Sequence, residues 1–220
     1  MLYDEHNQSL RSLRSQGKPI DDALYGAERV SIDLQWTGGL MITADQLKTL
    51  LHLKPHPEEG GYFVETYRSS EYFPEGSLPD RYKGLRSYAT AIYYLLTPET
   101  FSAIHRIQSD EIFHFYFGDP VEMLQLWPDG SGKTLILGSD FLNGMKPQVI
   151  VPRGIWQGAR LLEGGRFALL GTTVSPGFEF ADYESGRQDI LAESHPQFRD
   201  LIIALTKANI RSSSKERRYV

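Results

Sequence analysis

The sequence predicts an all-β protein in which one antiparallel barrel or sandwich forms most of the chain. Between residues 62 and 174 it consists of short runs rich in β-branched and aromatic residues, a composition typical of strands. Turn sequences separate the runs and no helical pattern lies between them, so parallel strands joined by helices are not expected. Nine strands are predicted, at residues 62–69, 88–97, 101–107, 112–117, 121–127, 134–137, 148–151, 155–162 and 167–174.

A short helix is expected on each side of this β region. Thr43 and Gln46 have the spacing of a capping box, and the leucines that follow give an apolar stripe that ends before Pro55. Residues 196–209 predict the second helix, because proline suits a first turn and apolar residues then recur on one face. We expect this C-terminal helix to pack on the outside of the barrel.

The chain is expected to contain one compact domain at residues 41–210, since 220 residues suffice for a single core with modest extensions. Residues 1–40 are predicted to be an N-terminal extension, which Gly38-Gly39 closes. Residues 211–220 are predicted to be a flexible polar tail.

Composition excludes several classes of function. A net charge of −5 argues against broad contact with nucleic acid or an anionic membrane. The absence of cysteine excludes disulfides, zinc fingers and thiol catalysis, and suits a reducing compartment. No apolar run has the length of a membrane span. We therefore expect a cytoplasmic protein whose partner is a small molecule.

Two stretches carry the side chains best suited to chemistry. His105 lies in one predicted strand and Glu111 begins the next, so an antiparallel hairpin would set both on one face at ligand distance. A turn at residues 152–154 leads into Trp156 and Gln157. These side chains predict a polar pocket.

At these positions the sequence resembles the cupin superfamily. The first cupin motif is His-x-His, three or four residues, Glu, six residues and Gly. His105, Glu111 and Gly118 match it, whereas Ile107 stands at the second histidine. In the second motif, Pro-x-Gly-x-x-His, Gln157 replaces the histidine.

The sequence is more similar still to one cupin subfamily, DUF985 or Cupin_5. The segments that agree are residues 55–61, where this chain has one extra glutamate, and residues 65–69, 109–111, 114–116 and 173–178. The resemblance implies a double-stranded β-helix, or jelly-roll, barrel that is usually a homodimer with one pocket per subunit. It implies no reaction, and a link to sugar-nucleotide epimerases rests on shared fold alone. We expect His56, in the first segment, to have a conformational role or to help to close the pocket.

Metal binding is one alternative. Metal-binding cupins usually hold iron or manganese with three histidines and a glutamate. This chain offers His105 and Glu111, with Gln157 as a weak donor, and His114 only if a bulge turns it inward. Such a set predicts at most a labile site for Fe, Mn, Ni or Zn.

Acid–base chemistry without metal is the first functional hypothesis. His105 and Glu111 would transfer protons in an isomerase or epimerase acting on a sugar or sugar-nucleotide-like carbonyl metabolite, with Gln157 orienting the ligand. The alternatives are a metal-dependent oxygenase or lyase and a non-catalytic metabolite-binding protein. A purely structural role, in which His105 and Glu111 satisfy each other, predicts the same hydrogen bond between them.

Five further residues are candidates for ligand contact. Glu65 could line the pocket, and Arg68 is expected in an ion pair or as an anion contact at the rim. Strand alternation does not place these two on one face. Phe113, Phe115 and Trp156 could stack on a ring-shaped ligand or could belong to the barrel core.

Overall fold

The computed structural model describes residues 42–207, and the all-β prediction is confirmed there. Each of the nine predicted strands is present, with two short strands in addition. The strands of the described chain are β1 (Lys54–Pro55), β2 (Tyr62–Arg68), β3 (Thr90–Leu96), β4 (Phe101–Arg106), β5 (Asp110–Gly118), β6 (Val121–Leu126), β7 (Gly132–Leu137), β8 (Gln148–Val151), β9 (Trp156–Leu161), β10 (Ala168–Ser175) and β11 (Glu184–Ser185).

The strands form two antiparallel sheets. A six-stranded sheet has the order β1-β2-β3-β10-β5-β8, and a five-stranded sheet has the order β11-β4-β9-β6-β7. Neighbours along the sequence therefore often lie in different sheets, as in a jelly roll. The predicted β4–β5 hairpin is wrong, because β4 pairs with β9 and β11 whereas β5 pairs with β10 and β8. The chain crosses from one sheet to the other between Arg106 and Asp110.

The burial of each strand follows from what covers its two faces. In the edge strand β8, Val149 and Val151 point into the barrel while Gln148 and Ile150 are exposed, which is the alternation of a half-buried strand. The central strand β10 is buried along nearly its whole length, because its outer face is covered as well.

Helix α1 (Ala44–Leu50) provides that cover. Its capping box is present as predicted: the Thr43 hydroxyl accepts from the Gln46 backbone, and the Gln46 side chain accepts from the Thr43 backbone. Leu47 of the helix is buried in a cluster that includes Leu95 and Leu169 of the six-stranded sheet. A local sequence signal and a tertiary contact thus agree on where the helix lies.

The C-terminal helical region differs from the prediction of one helix at residues 196–209. It contains α2 (Gln188–Ser194), then a 3-10 turn (Pro196–Phe198), then α3 (Arg199–Ala204). Pro196 explains the break, because the residue before a proline disfavours helical geometry, and His195 has φ −131°. Residues 208 and 209 lie outside the described part of the chain.

These helices pack on the outside of the five-stranded sheet, as expected. Their buried side chains form one cluster with residues of β4 and β6, namely Ile104, Leu124, Leu126, Leu191, Ala192, Ile202 and Leu205. A second cluster fills the barrel itself and includes Tyr94, Phe113 and Met123. Within residues 42–207, no helix is long and apolar enough to span a bilayer.

We expect Leu124→Ala to lower the free energy of unfolding by about 2–5 kcal/mol, because the fully buried side chain leaves a cavity between sheet and helices. The matched control is Leu142→Ala, since the Leu142 side chain is 99% exposed and its loss should change stability by less than about 0.5 kcal/mol. Urea unfolding of both variants measures the difference. Equal stabilities would contradict the assigned packing.

Candidate active site

One end of the barrel holds a cavity of about 90 Å³ that opens to solvent. The six-stranded sheet supplies most of its wall, β4 supplies His105, and two loops at residues 56–59 and 178–183 complete it. Its charged, titratable and hydroxyl-bearing lining residues are His56, Glu59, Glu65, Arg68, Thr90, His105, Glu111, Thr172, Glu179 and Tyr183. Its apolar lining residues are Phe63, Ala91, Ile92, Ile107, Val174, Phe178 and Phe180.

His105 lies on the wall formed by the five-stranded sheet, and its side chain is 3% exposed. Its Nδ1 is 2.8 Å from the carbonyl oxygen of Ala103, which only accepts hydrogen bonds, so Nδ1 carries the hydrogen. Its Nε2 is 3.3 Å from Nε2 of Gln157 and accepts from that amide. The Tyr183 ring stacks on the imidazole, with 5.0 Å between ring centroids.

Glu111 lies on the opposite wall, at the start of β5. Its Oε2 accepts from the same Gln157 Nε2 at 2.5 Å. Burial and, after it, the negative charge of Glu59 raise the pKa of this carboxyl to about 7, and His105 opposes the rise. The predicted hydrogen bond between His105 and Glu111 is therefore replaced by a bridge through Gln157.

Gln157 itself is buried behind the two groups and does not line the cavity. It was expected to orient the ligand. Instead, its position opposite His105 in the β4–β9 pairing points its amide at both proton-carrying groups. The structure thus places Gln157 between His105 and Glu111, behind the residues that line the cavity.

Glu59 belongs to the site although sequence reasoning did not single it out. The Ser102 hydroxyl donates to Glu59 Oε1 at 2.5 Å. The second oxygen, Oε2, lies 3.8 Å from His105 Nε2 and 4.0 Å from His56 Nε2, beyond ordinary hydrogen-bond distance. The extra glutamate in residues 55–61 was the sequence signal that could have drawn attention to it.

His56 lines the cavity beside Glu59. Its Nδ1 accepts from the Glu59 backbone N–H at 2.9 Å, so in the neutral ring Nε2 carries the hydrogen. Burial lowers the pKa of this imidazole, and the nearby Glu59 charge opposes that change. The site therefore joins two imidazoles and two buried carboxyl groups.

Glu65 and Arg68 lie at the mouth, and the structure brings them together. A register shift in β2 between Glu65 and Tyr67 overturns the parity argument that separated them. Arg68 donates from Nε and from one terminal nitrogen to Glu65, at 3.0 and 2.8 Å. Its other terminal nitrogen donates to Glu179 at 2.8 Å, so the predicted ion pair at the rim is present.

The wall loop at residues 178–183 supplies aromatic side chains that the sequence did not identify. Phe178, Phe180 and Tyr183 all line the cavity. A buried ion pair holds this loop, because Arg86 donates to Asp182 Oδ1 at 2.6 Å and the side chains are 2% and 4% exposed. Burial raises the pKa of Asp182, and Arg86 opposes that rise.

Four aromatic candidates from the sequence do not line the cavity. Phe113 and Phe115 face inward but belong to the apolar core of the barrel. His114 faces outward, where its Nε2 is 3.2 Å from the Thr173 hydroxyl, because no bulge turns it inward. Trp156 also faces outward, since its neighbour Gln157 faces inward, and the Arg106 guanidinium lies 4.4 Å from its ring.

The site does not fit the metal centre of three histidines and a glutamate. Ile107 stands on the lining at the second histidine position, and His114 is on the outer face. The Gln157 N–H group lies between Glu111 and His105 Nε2, where a metal would need free electron pairs. Within the described residues, no group of three or more histidine or acidic side chains is placed to hold a metal.

Comparison with protein families agrees with this architecture. A family model described as "Cupin superfamily (DUF985)", Cupin_5, matches residues 45–186. The Saccharomyces cerevisiae protein "Uncharacterized protein YML079W" is 33% identical over 133 residues, which cover 57% of this chain and 66% of that protein. The chain thus spans just under two thirds of this curated relative.

Two solved structures are similar over most of the described chain. Protein SO0799 from Shewanella oneidensis is 33% identical with a TM-score of 0.67, and the match covers 76% of this chain and 99% of that chain. A hypothetical protein from Leishmania major is 30% identical with the same TM-score of 0.67, covering 75% of this chain and 99% of that chain.

We expect stability to fall as pH rises from about 5 to 8, because folding holds a proton on Glu111. The pKa of Glu111 is near 4.5 in the unfolded chain and about 7 in the folded protein. The contribution of Glu111 to the free energy of unfolding is therefore complete below pH 4.5 and is lost as the pH rises through 7. The loss should reach about 3 kcal/mol. Denaturant unfolding across this pH range should show a flatter profile for Glu111→Gln.

Glu184→Gln is the control, since Glu184 forms an exposed pair with Arg106 and should retain the wild-type profile. Carbon-13 NMR of the Glu111 carboxyl gives the pKa directly. A midpoint near 4.5 would contradict the assigned environment.

Proposed function

The chain belongs to Cupin_5, the DUF985 family of the cupin superfamily, and from this premise we propose that it is a metal-independent isomerase or epimerase. Its substrate would be a small carbonyl compound with an acidic C–H bond next to the carbonyl. One observation carries the proposal: Glu111 is buried with a pKa of about 7, lines an open cavity, and shares a hydrogen-bond donor with His105.

A carboxyl group with that pKa suits proton transfer near neutral pH. General acid–base catalysis is most effective when the pKa of the group lies near the working pH, since both protonation states are then available. An exposed glutamate would be almost fully ionised and a weak base. Desolvation at the end of the barrel makes Glu111 a stronger base and keeps it able to return the proton.

Two groups that can accept a proton line the cavity from different sheets. Glu111 lies on β5 and His105 on β4, and the imidazole Nε2 carries no hydrogen because Nδ1 holds it, so Nε2 can exchange its hydrogen bond from Gln157 for a proton. In the proposed reaction, ionised Glu111 accepts the proton, and the C–H electron pair forms the enolate. For an α-hydroxy carbonyl substrate, the hydroxyl proton moves to the enolate oxygen and Glu111 returns its proton to the former carbonyl carbon, which gives an isomer. For an epimer, His105 takes a proton from solvent on Nε2 and delivers it to the original carbon from the opposite side, and Glu111 releases the abstracted proton to solvent.

Gln157 is a positioning residue in this proposal. Because its amide donates to both groups, it holds the carboxylate and the imidazole in fixed orientation across the barrel. The same amide stabilises the ionised carboxylate, which limits how far burial raises the pKa of Glu111.

The donor set disfavours a metal-dependent oxygenase or lyase, because the chain lacks two of the histidines and places an amide N–H between the remaining ligands. A non-catalytic binding protein would use the same cavity. The two differ in one property, since only an enzyme of this kind exchanges a carbon-bound hydrogen of its ligand with solvent.

We expect the wild-type protein to exchange the α-hydrogen of a substrate into deuterium oxide, followed by proton NMR across a panel of small aldoses, ketoses and amino-carbonyl compounds. Glu111→Gln, which cannot ionise, should lower the exchange rate by about 10²–10⁴-fold. His105→Gln should slow epimerisation more than exchange. Treatment with a chelator should leave the wild-type rate unchanged.

Glu122→Gln is the matched control, because Glu122 pairs with Arg160 away from the cavity and should retain the wild-type rate. Tight binding of a panel compound without exchange would support a binding protein and overturn the proposal. Loss of exchange on chelation, restored by a divalent metal, would overturn the metal-independent mechanism.

A further inference from the structure

Resting on the proposed function and naming its substrate class, we propose that the ligand carries a protonated amino group, which Glu59 and the aromatic lining receive. The substrate would then be a small amino-carbonyl compound rather than a carboxylate or a phosphate ester. The charge, the hydrogen-bond partners and the apolar lining of the cavity each support this selection.

The charge of the lining is strongly unbalanced. Four carboxyl groups line the cavity, Glu59, Glu65, Glu111 and Glu179, and Arg68 is the one lysine or arginine among the described lining residues. An anionic ligand would enter against this field, whereas a cation would be attracted, and low solvent access strengthens both effects.

Arg68 has little left to offer an anion. Its Nε and one terminal nitrogen hold both oxygens of Glu65, and the same terminal nitrogen also donates to the Phe178 carbonyl at 3.3 Å. Its other terminal nitrogen donates to Glu179. Four of the five N–H groups of a guanidinium are thereby engaged. A carboxylate or phosphate would have to displace one of these glutamates.

The two imidazoles do not take the place of Arg68 as a donor to an anionic ligand. The His105 Nδ1 hydrogen is committed to the Ala103 carbonyl, and its Nε2 accepts from Gln157. His56 is held neutral by burial and places its Nε2 side toward Glu59. The nitrogens of both rings therefore face groups of the protein.

Glu59 is the acceptor that a cation would use. The residue is 9% exposed, its Oε1 accepts from Ser102, and its Oε2 lies 3.8 Å from His105 Nε2 and 4.0 Å from His56 Nε2. A carboxylate with so little access to water is stabilised by a cationic donor. An ammonium group has three donors and the charge to match.

The aromatic lining also favours a positively charged ligand. Phe63, Phe178, Phe180 and Tyr183 surround the acidic groups, and Phe178 and Phe180 meet edge to face with 5.3 Å between centroids. The faces of aromatic rings attract ammonium groups and repel anions. Carboxylates and aromatic rings together thus form a receptor for a protonated amine.

The test uses three probes of nearly equal size at neutral pH: serinol, which is a protonated amine, glycerol, which is neutral, and glycerate, which is an anion. Protein-observed NMR titration gives their affinities without any reaction. We expect serinol to bind the wild-type protein at least about tenfold more tightly than glycerol or glycerate, a difference of about 1.4 kcal/mol.

Two variants probe the origin of that preference. Glu59→Gln should lower serinol affinity by about tenfold or more. Glu65→Gln, at the exposed rim, should free the Arg68 guanidinium and make glycerate the better ligand. Glu184→Gln is the control, because it breaks an equally bidentate Arg–Glu pair outside the cavity and should leave all three affinities unchanged.

Equal or tighter binding of glycerol or glycerate by the wild-type protein would overturn the proposal, as would no measurable binding of serinol. A Glu65→Gln protein that still rejects glycerate would overturn the assigned role of Arg68. Selective serinol binding without hydrogen exchange on any amino-carbonyl compound would refute the isomerase and leave the amine receptor supported.

Discussion

The site depends on a single amide, that of Gln157, which links the two sheets where the barrel ends. One N–H group satisfies a carboxylate from β5 and the other faces an imidazole from β4. Without it, two buried polar groups on opposite walls would face an apolar interior, at a cost of about 1–3 kcal/mol for each unsatisfied group. The apolar core fills the rest of the barrel, so Gln157 lies where the packed apolar interior meets the polar side chains of the cavity.

The cavity wall is fixed by polar contacts from outside the barrel as well. The Arg86–Asp182 pair is almost fully buried and ties the loop that supplies Phe178, Phe180 and Tyr183 to a distant part of the chain. A pair of this kind adds little net stability, but removing one partner leaves an uncompensated charge. Its contribution is geometric, because it fixes the position of the loop that carries the aromatic lining residues.

The fold was largely predictable from the sequence, and the site only in part. Strand composition and turn residues located all nine main strands, and the cupin motifs located His105 and Glu111. The prediction of a β4–β5 hairpin was wrong because the chain crosses to the other sheet after Arg106. No local sequence pattern indicates that crossing. Strand alternation predicted that Glu65 and Arg68 lie on opposite faces, but a bulge in β2 interrupts that alternation and brings them together. Glu59 was missed because its role arises from loop packing against Ser102.

The charge of Glu59 has a consequence for how Glu111 titrates. The charge of Glu59 raises the pKa of Glu111, while His105 lowers it, so the midpoint of Glu111 depends on residues outside its own strand. Replacing Glu59 would move the midpoint seen at Glu111 although no atom of Glu111 had changed. The loop at residues 56–59 therefore adjusts the pKa of a carboxyl group that lies on a strand of the barrel.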